Sequence, residues 1–215
     1  MNFIKSLMIV LMSFMMVILS CQKGDNLTID IEVEKLISQM TLEEKIGQMT
    51  QLTIDSVSKV KSTVAESHQI DPVKLEEAIV EYHIGSILNV YDAAYTLDHW
   101  HEIITQIQDI ATKKTRLGIP IIYGIDAIHG ANYIIGATIF PQSIGMAATW
   151  NPELVRKGGE ITAIETRASG VPWNFNPVLG LGRQPLWPRL FETYGEDVYL
   201  ASVMGAEYVK GLQGD

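Results

Sequence analysis

The sequence predicts an α/β protein with a parallel sheet, and three observations lead there. Short apolar runs of strand length, Gly85 to Val90, Ile119 to Ile125 and Val171 to Val178, alternate with amphipathic helical patterns. The connections between them are short, and no internal repeat or low-complexity stretch interrupts the alternation. The 215 residues are 47% hydrophobic and 19% charged, which is material for one sizeable core.

The elements follow in chain order. Lys5 precedes an apolar run from Leu7 to Leu19, too short to span a bilayer at ~20 residues and suited to a signal-peptide core. The run ends at Ile18-Leu19-Ser20-Cys21, which resembles a bacterial lipoprotein signal in which Cys21 becomes the lipidated N-terminus. Residues 1–20 are therefore expected to be a lipoprotein signal peptide and 21–34 a tether, polar from Gln22 to Asn26. An exported protein anchored at a bacterial membrane, periplasmic or at the cell surface, is the implied localisation. A plain signal peptide with an incidental cysteine is the alternative.

Thr41 and Glu44 form a capping box, so a helix should start there, with Leu42, Ile46, Met49 and Leu52 as its buried face. Residues 55–70 are polar without period and read as a loop. Asp71-Pro72 is the next start signal, with a helix running to about His83. After the strand at Gly85 to Val90, one helical face carries Trp100, Ile103, Ile104, Ile107, Ile110 and Ala111, with Lys113, Lys114 and Arg116 in the last turn. Gly118 closes it, and the second strand follows. Asn151-Pro152-Glu153 opens a helix to Gly170, Val171 to Val178 reads as a strand, and Glu196 to Leu212 as a final amphipathic helix.

Several functions are excluded. A formal charge of −9 and the lack of a basic run remove the footprint of a nucleic-acid binder. One cysteine cannot make an internal disulfide, and no paired Cys/His spacing suggests structural zinc. Gly180-Leu181-Gly182 lacks the third glycine of a dinucleotide fingerprint, with Pro185 in its place. Ser143 lacks the first glycine of a nucleophile elbow and reads as ordinary. His99 and His101, two apart on a helix, face different ways and suit no shared metal, while His68 and His83 read as surface or helix-end residues. No cofactor and no metal is expected.

Two constellations remain. Gly124-Ile125-Asp126-Ala127-Ile128-His129-Gly130 ends an apolar strand with an acid and a histidine, where α/β proteins place their sites. A carboxylate there is costly unless it is paired or binds something polar. A helix-capping Asp126 and a structural His129 are the purely architectural alternatives. The second is the loop from Asn176 to Asp197, which carries Arg183, Trp187 and Arg189 among prolines. An indole face beside a guanidinium fork suits a sugar ring and its hydroxyls, although ion pairs holding the loop together would use the same residues.

Together these motifs resemble the N-terminal (β/α)8 barrel of glycoside hydrolase family 3, especially its bacterial β-glucosidase-like members. The resemblance begins at Met40-Thr41-Leu42-Glu43-Glu44-Lys45-Ile46-Gly47-Gln48-Met49, includes Gly124 to Gly130 and Phe140-Pro141-Gln142, and runs through Tyr194-Gly195-Glu196-Asp197. It covers nearly all of residues 35–215, which are expected to be a partial barrel domain. The resemblance implies retaining hydrolysis of β-linked sugars by two carboxylates. It makes Asp126 the acid that binds hydroxyls of the sugar in the −1 subsite and Arg189 the arginine that contacts the same sugar, with His129 and Arg183 as weaker candidates. Pro188, Leu186 and Gly180 depart from the family's usual glycine, arginine and acid.

The family's Lys-His pair, Asp nucleophile and acid/base Glu are absent between Asp126 and Asp215. The expectation is therefore an incomplete barrel with no catalytic residue of its own, inactive alone and belonging to a longer β-glucosidase. The partners implied are a β-linked oligosaccharide or glucoside and, through Cys21, a membrane. A β-xylosidase or β-N-acetylglucosaminidase of the same family, or a non-catalytic lipoprotein remnant, are the alternatives.

Overall fold

The computed structural model describes residues 29–63 and 66–214. The signal sequence, Cys21 and the start of the tether lie outside the described residues. Contacts divide the chain into two units, Met1–Lys45 and Ile46–Asp215. In the first, helix α1 spans residues 29–39, so the last six residues expected as tether are helical. Helix α2 (Leu42–Gln48) crosses the division. Its capping box is formed: the Thr41 N–H donates to Glu44 Oε2 at 2.8 Å and the Glu44 N–H to Thr41 Oγ1 at 3.2 Å.

The expected buried face of α2 is a correction. Leu42, Ile46 and Met49 are 68, 54 and 80% exposed, and only Leu52 packs against the core. Gly47 sets the orientation, since a Cβ there would lie 2.4 Å from the Tyr82 carbonyl oxygen. The helix meets its neighbour through this glycine backbone, which turns the apolar stripe outward among the described residues.

The second unit contains β1 (Gln51–Thr53), a 3₁₀ turn, α3 (Pro72–Glu76) continued by a π turn, β2 (Ser86–Leu88), α4 (Leu97–Lys114) and β3 (Ile122–Ile125). Then come α5 (Ser143–Ala147), α6 (Pro152–Ala168), β4 (Trp173–Asn174) and α7 (Val198–Gln213). As Thr41 does for α2, side-chain acceptors start four helices of this unit: Asp71 for α3, Thr96 for α4, Asn151 for α6 and Asp197 for α7. The four strands lie in chain order β1-β2-β3-β4, every pair parallel, with Leu88 opposite Gly124 and Ile125 opposite Asn174. This is the α/β arrangement of an incomplete (β/α)8 barrel, whose neighbouring strands are consecutive and parallel. Strand β4 is shorter than the Val171 to Val178 run. Asn174 Oδ1 takes the Asn176 N–H at 3.1 Å and Pro177 offers no donor, so the ladder stops.

Ile87, Tyr123 and Ile125 from the sheet pack with Trp100, Ile103, Ile107 and Ala111 of α4, all fully buried. A second cluster joins Val155 of α6 to Ala201, Met204 and Tyr208 of α7. The two helices approach closely because Gly211 has no side chain; a Cβ there would sit 2.1 Å from the Arg156 carbonyl oxygen.

The loop at 55–70 and His68 also differ from expectation. Ile54–Val57 form the 3₁₀ turn, Ser58 bridges Ile70, and His68 is only 4% exposed. The Ser58 hydroxyl donates to the Ile54 carbonyl at 2.7 Å, so its oxygen accepts from His68 Nε2–H at 2.8 Å. His68 Nδ1 then accepts from His99 Nε2–H at 3.1 Å, and Tyr95 stacks on the ring at 4.9 Å. A histidine can pair in this way once it is neutral, which spacing alone did not reveal. Burial first, then the adjacent His99 and Lys61, push His68 down from 6.5 to about 4. The unfolded chain therefore binds a proton that the folded chain refuses between those values. Stability is full above pH 6.5 and falls as pH drops toward 4, by up to about 3 kcal/mol. Denaturation midpoints against pH should show this loss in the wild type and its reduction in His68→Gln.

Candidate active site

The carboxyl ends of three neighbouring strands each deliver a polar side chain: Asn89 after β2, Asp126 after β3 and Asn174 closing β4. The sheet registers bring them side by side. Asp126 is half-buried and is held from both sides of its peptide. Asn89 Nδ2 donates to Asp126 Oδ2 at 3.0 Å, and the Asp126 N–H donates to Asn89 Oδ1 at 3.1 Å. One residue on, the Ala127 N–H donates to Asn174 Oδ1 at 3.2 Å and Asn174 Nδ2 to the Ala127 carbonyl at 3.4 Å. The segment that carries the acid is thus fixed by amides from both flanking strands.

Arg189 precedes the 3₁₀ turn Leu190–Glu192, whose tight pitch returns Glu192 to it. Arg189 Nε donates to Glu192 Oε2 at 2.8 Å, and a terminal nitrogen reaches the same oxygen at 2.6 Å. The Glu192 side chain is 9% exposed and that of Arg189 54%. A buried carboxylate therefore holds one edge of the guanidinium, leaving three of its five N–H groups to solvent. The hydrogen bond from Glu192 raises the Arg189 pKa above its ordinary value, and attraction to Asp126 adds to it.

The other candidates are placed differently. His129 Nδ1–H donates to the Phe140 carbonyl at 3.3 Å while the Phe140 N–H donates to the His129 carbonyl at 2.8 Å. This reciprocal pair closes the loop from 129 to 140, and Gly130 makes the closure possible. Its φ is +98°, and a Cβ there would lie 2.1 Å from the Thr138 carbonyl oxygen. Arg183 is exposed and makes no side-chain hydrogen bond or ion pair among the described residues. Trp187 lies over Gly180, where a Cβ would meet its ring at 2.9 Å; an acid at 180 would displace the indole. Ser143 is buried at the start of α5 and hydrogen-bonded to Tyr194. His99 and His101 have separate partners, the latter bonded to the Ala168 carbonyl at 2.7 Å.

Sequence reasoning missed Asn89, Asn174 and Glu192. The two asparagines carry the signal that marked Asp126, a polar residue closing a short apolar run. Glu192 stands three residues from Arg189, a spacing that pairs opposite charges within one helical turn.

No helix among the described residues is long and apolar enough to cross a membrane. Residues 41–215 match the model of the glycosyl hydrolase family 3 N-terminal domain. The lysosomal β-glucosidase of Dictyostelium discoideum is 44% identical over 193 residues, covering 86% of this chain and 23% of that protein. The periplasmic β-glucosidase of Salmonella typhimurium is 31% identical over 185 residues, covering 86% and 21%. The crystal structure of an exo-1,3/1,4-β-glucanase from Pseudoalteromonas superposes with a TM-score of 0.72 at 31% identity, covering 87% of this chain and 22% of that one. The chain thus spans between a fifth and a quarter of the length of these proteins. The family match from residue 41 onward, with its carboxyl-end acid held between neighbouring strands, makes this chain a member of glycosyl hydrolase family 3, as part of that family's N-terminal domain.

Proposed function

We propose that this chain builds one wall of the −1 subsite of an exo-acting, retaining β-glucosidase. The observation that carries the reading is Asp126, held at the carboxyl end of β3 by amides from both neighbouring strands, together with Arg189 on the loop after β4, one edge of its guanidinium held by Glu192 and the rest exposed. An ionised carboxylate accepts only and a guanidinium donates only, so together they read hydroxyls as donors on one side of a sugar ring and acceptors on the other. Such charge-assisted bonds are the stronger class. Asp126 is assigned to binding. Glu192, buried and spent on Arg189, is an anchor. The nucleophile and the acid/base carboxylate of the retaining mechanism are assigned to chain outside these 215 residues.

The His129 closure supports a loop-fixing role for that residue, and Arg183 is assigned to the rim of the site. The complete protein is expected to release p-nitrophenol from the β-glucoside faster than from the β-xyloside or the β-N-acetylglucosaminide, and the 215 residues alone to release none. Preference for another glycoside would overturn the sugar assignment, and turnover by the short chain would overturn the division of labour.

The leader supports a location. Cys21 after a small residue and an apolar run is proposed to carry lipid, placing the protein at a bacterial membrane on its exported side. Cys21→Ser should move the protein from the membrane pellet to the soluble fraction. An unchanged distribution would refute lipidation.

A further inference from the structure

Asn89 makes more specific contacts with Asp126 than any other described side chain, and its conformation is an unusual one to maintain. It stands immediately after β2 with φ +63°, in the left-handed region that few residues other than glycine and asparagine tolerate. Four hydrogen bonds hold it there. Its N–H donates to the Gly124 carbonyl at 2.9 Å, and its carbonyl accepts from the Tyr123 hydroxyl at 2.6 Å. Its amide oxygen takes the Asp126 N–H and its amide nitrogen donates to Asp126 Oδ2. Behind it, Tyr123 is fully buried and met edge-on by Trp100, with ring centroids 5.6 Å apart. Burial raises the Tyr123 phenol well above its ordinary value, so that hydroxyl keeps its proton and remains a donor to Asn89.

This arrangement has a consequence for the acid. The two-point contact ties the main chain and the carboxylate of Asp126 to one rigid amide, which fixes the side-chain torsion. It occupies Oδ2 with a donor and leaves Oδ1 without a hydrogen bond from the described residues. We propose that Asn89 is a positioning residue, which aims Asp126 Oδ1 at a sugar hydroxyl. The inference rests on the reading of Asp126 as a sugar-binding acid.

The test exchanges the donor while keeping the shape. In the complete protein, Asn89→Asp retains an oxygen for the Asp126 N–H and tolerates the left-handed backbone, but sets two carboxylates about 3 Å apart. Such a pair shares one proton over a raised pH range. While the proton is shared, a donor again faces Asp126; once it is lost, the contact becomes repulsive. The ratio of kcat/KM, variant to wild type, on p-nitrophenyl β-glucoside should fall about tenfold or more as pH rises from 5 to 8. Taking the ratio removes the pH dependence of the shared catalytic groups.

A ratio that is flat with pH would overturn the proposal, whatever its size, since a merely structural lesion has no reason to titrate. Asn89→Gly keeps the backbone and deletes the clamp, so it should lose about tenfold or more at every pH. Wild-type kcat/KM in that variant would equally overturn the proposal, and its measurement serves if Asn89→Asp does not fold. An Asp126→Ala protein of wild-type kcat/KM would instead overturn the reading beneath.

Discussion

Asp126→Ala in the complete protein should lower kcat/KM on p-nitrophenyl β-glucoside by about 1000-fold. Hydrogen bonds to a charged group contribute about 1.5–3 kcal/mol each, and Oδ1, the oxygen that Asn89 leaves open, has lone pairs for two hydroxyls. Two such losses amount to roughly 3–6 kcal/mol, and every ~1.4 kcal/mol is tenfold. The alanine also leaves Asn89 Nδ2 without its acceptor and removes a negative charge that attracts Arg189. The fold should survive, because Asp126 is only half-buried and its backbone N–H remains bonded to Asn89. Circular dichroism should therefore be unchanged while activity collapses. Asp126→Asn keeps one acceptor and should lose less.

The largest effect on stability is expected at Gly130. Alanine there must adopt φ +98° and place its Cβ 2.1 Å from the Thr138 carbonyl. Holding a residue with a Cβ in that region costs about 1–3 kcal/mol, and relieving the overlap requires the loop from 129 to 140 to move. The movement would break the reciprocal His129–Phe140 bonds and loosen Thr138 from Glu165, whose carboxylate takes both its N–H and its hydroxyl at 2.9 Å. A total near 4 kcal/mol, at ~2–4 °C per kcal/mol for a domain of this size, lowers the first thermal transition by about 10 °C. A scanning calorimetry trace within 2 °C of the wild type would contradict this account of the glycine.

Gly130 and Asp126 also show what a sequence discloses. Strand, helix and cap positions rest on local rules: Asp71, Asn151 and the Thr41–Glu44 pair each bond to backbone within three residues, so their positions could be read directly. Asp126 was legible because a carboxylate after an apolar strand has few structural uses. Its partners were not. Asn89 and Asp126 are 37 residues apart, and only the parallel register of β2 on β3 brings them together.

The α2 stripe and His68 failed for a related reason. Periodicity in Leu42, Ile46 and Met49 states that a helix has an apolar face, but the glycine contact decides which way that face turns. His68 looked like a surface histidine because neither Ser58 nor His99 is near it in sequence, and both are needed to make its burial tolerable. The shortened β4 depended on a side-chain oxygen taking a main-chain proton, which apolar patterning does not register.

The most direct test of the sugar-binding assignment is a crystal structure of the complete protein soaked with glucose. The ring should lie across the carboxyl ends of β2, β3 and β4, with a hydroxyl within about 3 Å of Asp126 Oδ1 and another within about 3 Å of an Arg189 nitrogen. Glucose bound elsewhere, with Asp126 contacting only Asn89 and Arg189 only Glu192, would contradict it.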